Sequence, residues 1–454
     1  MSAISDTCKK RHGLRFGALL LLLLVIYTAW LIACWPGVLG QDSLAIMLEV
    51  DTHREFQANK PAFWYMYVNW LYGNSGRAEV PIGFQMLVSA VVCARILSWL
   101  GERRMWKSFA YCLFFVALAP SVVYYSSSLY SDGIYAIALS GMLFEVWRSW
   151  RLRSIDKASC LVLLTTVPFA LLSRPNGVLN LVPLLALAWI LSNAQRVRLG
   201  LVVLPWCFVG VYGQLTYAYT NPIGSIFPLA LYETVGFLEH RPMGLWERNE
   251  PRVTQKTVKA LTSTGRSLEH ISQFYDHYYW DPLIFFIEGP ALLELPEAAK
   301  KTVIREFFKY NLWHNLPAFA ASRVNVFLYS ALANGGIPDP NAAQYVLPKT
   351  KSISALNIVQ WPTTPLLRQW FDMSMRYRAI LWAPWVGIAL IFIGCRRALT
   401  ECELSDAFVV GTYAAQLAAV FTFSIAGEYR YLLAFFTAPL VLLPVLYHPA
   451  SAHV

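Results

Sequence analysis

Charged side chains at the edges of long apolar stretches must reach water or a partner, so each is a candidate for chemistry. Asp42 follows the first apolar block, in Trp35-Pro36-Gly37-Val38-Leu39-Gly40-Gln41-Asp42-Ser43. A carboxylate there can serve as a general base, taking a proton from an attacking hydroxyl within hydrogen-bond reach. It can equally cap a helix over residues 43–50. Lys60 opens Lys60-Pro61-Ala62-Phe63-Trp64-Tyr65. Its compact ammonium suits a phosphate; otherwise it snorkels at the start of an interfacial helix whose Trp64, Trp70 and Tyr72 lie among headgroups. Asp132, after the Tyr/Ser-rich run 124–131, is either a second acid orienting the acceptor or the base, or another helix cap. Arg174 stands in the tight turn Ser173-Arg174-Pro175-Asn176-Gly177, which holds no second charge to pair with it. A phosphate gripped by two hydrogen bonds, or a lipid headgroup, would explain it. Glu428 and Arg430, in Gly427-Glu428-Tyr429-Arg430-Tyr431, either pair with each other or face the same cavity as the groups above. Tyr429, Asn176 and Arg54 are further candidates to line that cavity.

The elements that must position these residues are membrane helices. Of 454 residues, 57% are hydrophobic and only 14% charged, against roughly 25% charged in soluble domains. That balance excludes a disordered chain and speaks against a soluble enzyme. The apolar residues come in blocks near the ~20 residues a span needs. The sequence predicts an all-α polytopic membrane protein with about ten transmembrane helices, over 14–36, 81–100, 108–126, 133–148, 158–173, 177–193, 199–219, 379–395, 407–425 and 431–447. The first block is too long for a signal peptide and lacks a small-residue cleavage site, so it reads as an uncleaved span.

Sidedness follows from the basic residues. They gather at 9–15, 103–107, 148–157, 196–198 and 396–397, at every second turn of a ten-span chain. The positive-inside rule puts these turns, and both termini, in the cytoplasm. It also accounts for much of the formal charge of +10 without nucleic acid, for which no basic stripe interleaved with aromatics argues. The expected organisation is a transmembrane part over 1–219 with a first outer loop at 37–79, an extracytoplasmic, mostly helical cap over 220–378, and C-terminal spans over 379–454. Within the cap, 297–310 reads as a helix and 334–344 as a Pro/Gly/Asn-rich loop.

Other signals are weak. The eight cysteines fall in apolar blocks or the adjoining basic loops, without CxxC or Cys/His spacing, so neither a disulfide framework nor a zinc site is favoured. His270 and His277 lack a third ligand nearby. Ser126–Ser128 has no base that would complete a triad. No phosphate-binding glycine loop or dinucleotide fingerprint occurs.

Taken together, the motifs resemble the GT-C membrane glycosyltransferases, most closely the lipid A aminoarabinose transferases and related protein O-mannosyltransferases. The resemblance rests on Asp42 after the first span, Lys60-Pro61 and its aromatics up to Leu71-Tyr72-Gly73, and Tyr130-Ser131-Asp132 where the group carries a second acid. It also rests on Leu172-Ser173-Arg174-Pro175-Asn176-Gly177 in place of a Lys-Gly-Pro turn, and on Arg430-Tyr431-Leu432-Leu433 with Pro439. Two departures stand out: Ser43 replaces the Glu that usually follows the Asp, and Arg174 replaces a Lys. The resemblance covers most of the membrane portion and leaves 220–378 unmatched. It implies transfer of a sugar from a polyprenyl-phosphate donor to a glycolipid, O-antigen or protein acceptor, in the periplasm at a bacterial inner membrane. Asp42, with Asp132, would do the catalysis, and Lys60, Arg174 and Arg430 would hold the donor phosphate. No cofactor is required, and dependence on a divalent metal stays open. Two other classes also fit the residues: a polymerase or ligase moving whole glycans from a polyprenyl diphosphate, and a lipid or solute transporter. The ionisable groups of the chain cluster at one interface, and no paired halves of the transporter kind are visible.

Overall fold

The computed structural model is helical, with isolated bridges but no β-strand among the described residues. Those residues are 2–217, 219, 226–238, 252–356, 364–401 and 403–447, with side chains from Arg15 onward. Cys402, the stretches 220–225, 239–251 and 357–363 of the expected cap, and the side chains of Cys8, Lys9, Lys10 and Arg11 lie outside them.

In chain order the main helices are α1 (Ser2–Ala33), α2 (Gln41–Asp51), α3 (Ala62–Val68), α4 (Glu79–Glu102), α5 (Trp106–Leu118), α6 (Pro120–Ser126), α7 (Ser131–Leu152), α8 (Lys157–Leu172), α9 (Leu181–Ile190), α10 (Asn193–Thr216), α11 (Ile226–Leu238), α12 (Gln255–Leu261), α13 (Leu268–Gln273), α14 (Glu297–Glu306), α15 (Leu316–Ala331), α16 (Thr364–Arg376), α17 (Arg378–Glu401), α18 (Leu404–Phe423) and α19 (Tyr429–Tyr447). A helix occupies each of the ten apolar stretches read from the sequence. Among the described residues, six of these helices are long and apolar enough to cross a membrane: α1 over Arg15–Ala33, α4, α10, α17, α18 and α19. The α5–α6 pair makes a seventh if taken as one span bent by 48°. The bend falls where Ala119 turns extended ahead of Pro120, because the proline ring excludes a helical residue before it. α8 has 16 residues and α9 only 10, less than the ~20 that a ~30 Å hydrocarbon layer requires. α7 is long enough but carries Asp132, Glu145, Arg148 and Arg151.

The chain divides into two compact units. The first comprises Met1–Thr220, Ile337–Leu417 and Leu432–Val454. α7 is its axis, buried along nearly all of its length and packed against α4, α8 and α19. Its central place follows from the neighbours on several sides, while its charged residues lie near its two ends. Polar groups join it to its neighbours: the Ser140 hydroxyl lies 3.1 Å from Tyr413 and 3.1 Å from the Thr437 hydroxyl. α1 packs on α4 and α16, and α10 on α3 and α8.

The second unit comprises Asn221–Gly336 and Ala418–Tyr431. Its core gathers Phe227, Leu231, Val235, Leu261, Ile271 and Phe307 from α11 to α14 and the turn that follows. The helix expected at 297–310 is present as α14 and a wider turn over Phe307–Asn311. A fully buried ion pair, Arg323–Glu233, joins α15 to α11. The same guanidinium donates to the Ser424 and Thr422 carbonyls.

The two units divide the chain at other points than the expected cap over 220–378. Residues 337–356 return to the first unit, where they satisfy polar groups of the first loop. Tyr124 donates to the Pro338 carbonyl at 2.7 Å. The Lys351 backbone N–H and ammonium bond Asp51, both at 2.7 Å. Ser354 donates to Glu79 at 2.6 Å, and the Trp35 indole to the Ala355 carbonyl at 2.9 Å. Conversely, the late turn around 418–431 joins the second unit, where Gly427 N–H bonds the Tyr278 carbonyl at 2.7 Å and Tyr429 N–H the Gly335 carbonyl at 2.9 Å. The segment 37–79, expected as the first outer loop, is itself largely helical, holding α2 and α3.

Candidate active site

Two carboxylate–cation pairs form the centre of the site in the first unit. Lys60 Nζ lies 2.7 Å from Asp42 Oδ1, with side chains 20% and 32% exposed, so the pair is within reach of a ligand. Asp42 sits in the first turn of α2, whose N-cap is Gly40 with no side-chain hydrogen bond. Asp42 thus lies inside the helix, two positions past its N-cap, and its carboxylate contacts Lys60. Lys60 precedes α3, but the expected headgroup belt does not form there, since Trp64 and Tyr72 are buried and only Trp70 is exposed.

Arg174 pairs with Asp132. The arginine's own turn holds no second charge; the partner lies far back in the sequence, on α7. Asp132 is 5% exposed and Arg174 21%. Asp132 is not a cap either, because Tyr130 is the N-cap of α7 and no side chain caps it. A glycine near each charge lets its own turn close on the segment before it. A Cβ on Gly133 would lie 2.4 Å from the Tyr125 carbonyl oxygen, and one on Gly177 2.4 Å from that of Leu171, distances that no side chain tolerates. Asn176 turns into the bundle, where it bonds Gln416, which in turn donates to Asn180 at 3.0 Å.

The two pairs share one end of the unit. Val38 bridges to Ser128, and Ser43 Oγ donates to the Leu129 carbonyl at 3.3 Å. Leu129 is three residues from Asp132, at most about 11 Å of chain. From the other side, Phe63 stacks edge-on against Phe169 at 5.6 Å, one turn before Arg174. α2 and α3 thus lie over the ends of α7 and α8 that carry Asp132 and Arg174.

Sequence reasoning missed a third group. Glu49 is fully buried and 3.2 Å from Arg54. The Arg54 guanidinium lies 4.6 Å from the Tyr65 ring centre and 4.4 Å from that of Tyr219. Tyr219 donates to Glu49 at 2.8 Å and also reaches the Lys60 carbonyl at 2.7 Å. Burial pushes the Glu49 carboxyl up, against the opposing pull of the Tyr219 hydrogen bond and Arg54. The cluster fixes the backbone at Lys60. The signal available was Arg54 among tyrosines; Glu49 itself reads as one polar position on an amphipathic helix.

Arg430 and Glu428 belong to the second unit and pair with each other, Arg430 also lying 5.3 Å from the Tyr431 ring. Tyr429 is fully buried there. His270 packs on Phe274 and His277 on Tyr275. Among the described residues, no group of three or more His, Cys, Asp or Glu side chains is placed to hold a metal ion. A cavity of about 150 Å³ in the first unit is lined by Trp30, Cys34, Tyr124, Asn341, Arg368 and Asp372. That is below the ~300 Å³ of ordinary ligand pockets. No family model, curated protein or solved structure matches this chain.

Proposed function

We propose that the protein is a GT-C-type membrane glycosyltransferase that moves one sugar from a polyprenyl-phosphate donor to a hydroxyl of an outer-face acceptor. The acceptor is a glycolipid, O-antigen or protein. In this reading the ten helices are ten spans in a bacterial inner membrane, both termini are cytoplasmic, and the Asp42–Lys60 mouth opens to the periplasm. The observation that carries the reading is the 2.7 Å contact between a reachable carboxylate and a reachable ammonium, beside a second acid–base pair at the same end of the unit.

The chemistry needs both signs of charge. The acceptor oxygen attacks the anomeric carbon while its proton passes to Asp42. The bond from that carbon to the phosphate oxygen breaks, and the polyprenyl phosphate leaves with the electron pair. A single displacement inverts the anomeric centre. Lys60 has three N–H donors, enough to hold Asp42 and a phosphate oxygen together, which places the base beside the bond that breaks. Preorganised cations stabilise the charge that develops on the leaving phosphate. Arg174, steered by Asp132, supplies the second cation. Arg54, Glu49 and Tyr219 act as positioning residues for Lys60. Arg430 is given no step, since Glu428 takes it in a separate unit.

The test is sugar transfer in proteoliposomes supplied with a panel of polyprenyl-phosphate sugars, read by mass spectrometry of the acceptor. Asp42→Asn is expected to abolish transfer while the melting temperature is retained, and Lys60→Ala to weaken donor binding. Near-normal turnover by Asp42→Asn would remove Asp42 as the base. Transfer of a whole glycan block would favour a polymerase or ligase, and passage of the lipid unchanged a transporter.

A further inference from the structure

The far end of the first unit carries a second built feature, independent of any transfer activity. α7 has 22 residues and takes the chain about 33 Å away from Asp132, close to the ~30 Å of a hydrocarbon layer. There α8 and α10 begin side by side and enclose a cleft of about 500 Å³, well inside the range of ligand sites. Its lining changes along the two helices. Lys157 and Arg198 lie near the starts of α8 and α10, and Cys160, Leu161, Leu164 and Val202 follow further along them. Seven helical positions separate Lys157 from Leu164, about 10 Å.

The end with the cations is held in place by hydrogen bonds. Ile155 N–H bonds Gln195 at 3.0 Å, and Arg198 reaches the Ile155 carbonyl at 3.5 Å. The nearby acid does not neutralise the cations, because Asp156 is turned to Arg148 at 2.7 Å and to the Ser159 N–H at 2.7 Å. Glu145 is likewise taken by Arg95 at 2.8 Å and Ser159 at 2.6 Å. What lines the cleft is therefore a pair of cations followed by apolar side chains, with Leu161 and Leu164 exposed. That order of chemistries matches one class of molecule at this level of a bilayer: an anionic head over an aliphatic chain.

We propose that the α8–α10 cleft binds one anionic phospholipid, its phosphate between Lys157 and Arg198 and an acyl chain along Leu161, Leu164 and Val202. The site is structural or regulatory and uses no residue of the Asp42–Lys60 mouth.

The experiment is native mass spectrometry of the full chain, titrated with phosphatidylglycerol or with phosphatidylcholine of the same acyl chains. One phosphatidylglycerol is expected to bind in preference. The double variant Lys157→Gln/Arg198→Gln should lose roughly thirtyfold in affinity, at the usual contribution of each juxtamembrane cation. Lys107→Gln, an exposed cation elsewhere, should change nothing. Leu164→Trp, which fills the apolar part and leaves the charge alone, should also weaken the lipid. Equal binding of the two lipids would overturn the proposal. So would an unchanged affinity in the double variant or in Leu164→Trp, or an equal loss in Lys107→Gln. None of these outcomes touches sugar transfer, so this proposal and that of the active site fail separately.

Discussion

Asp132 and Arg174 show what a single pair contributes. Asp132 is almost fully buried and Arg174 largely so. Breaking a fully buried pair by removing one partner costs about 3–5 kcal/mol. Arg174 keeps some access to water, so Asp132→Asn is expected to cost less, about 1–3 kcal/mol, the range for leaving a buried polar group without its partner. The double variant Asp132→Asn/Arg174→Gln should recover most of that loss. A thermal-unfolding cycle of the two singles and the double in detergent measures the coupling; additive losses would remove the pair. The residues themselves were legible in the sequence, because charges beside apolar blocks stand out. Their pairing was not, since it depends on α7 and α8 running antiparallel and packing side by side.

At the scale of elements, Asp156 is a central tie of the turn between α7 and α8. Asp156 is the N-cap of α8, accepting from the Ser159 N–H at 2.7 Å, and it also binds Arg148. Burial works to raise its carboxyl, but the Arg148 and Ser159 hydrogen bonds and the Arg148 charge outweigh this and bring it down to about 2. Its folded value lies below its unfolded one. The stabilisation is therefore present above the unfolded value, near 3.8, and is lost as pH falls from there through about 2. Asp156→Ala should cost about 1 kcal/mol, as loss of a cap does. Asp156→Asn should keep part of the cap but flatten the pH dependence of the melting temperature between about 4 and 2; an unaltered acid profile would show that Asp156 is not its source. The turn at Pro175 was readable as sequence, whereas the sequence reads 108–126 as one span across the break at Pro120. The division of the segment 220–378 was not readable either, since the segment's polar residues gave no sign of whether Asp51 and Glu79 or their own neighbours would satisfy them.

For the molecule as a whole, a buried charge decides how the second unit closes. Arg323 is 1% exposed, like Glu233, and ties α15 to α11 and to the carbonyls of Thr422 and Ser424. Arg323→Met should lower the stability of that unit by about 3–5 kcal/mol, because it strands Glu233. Adding Glu233→Leu should restore much of it, since apolar replacement of both partners is often neutral or better. Hydrogen exchange over residues 226–238 and 316–331 reads the effect in that unit. If the single and double variants exchange alike, the pair is not what holds these helices together.

By itself the sequence determined a helical chain with apolar helices long enough to cross a membrane. It also determined where its apolar helices run and which few charged residues stand at their ends. Those properties follow from local composition and the length of a bilayer crossing. Only the tertiary structure decided that Lys60 meets Asp42 and Arg174 meets Asp132, that Glu49 is buried beneath an arginine among tyrosines, and that Arg430 belongs to a different unit. Each of these is a contact between distant segments, chosen by which buried charge can satisfy which other, and no local pattern encodes that choice.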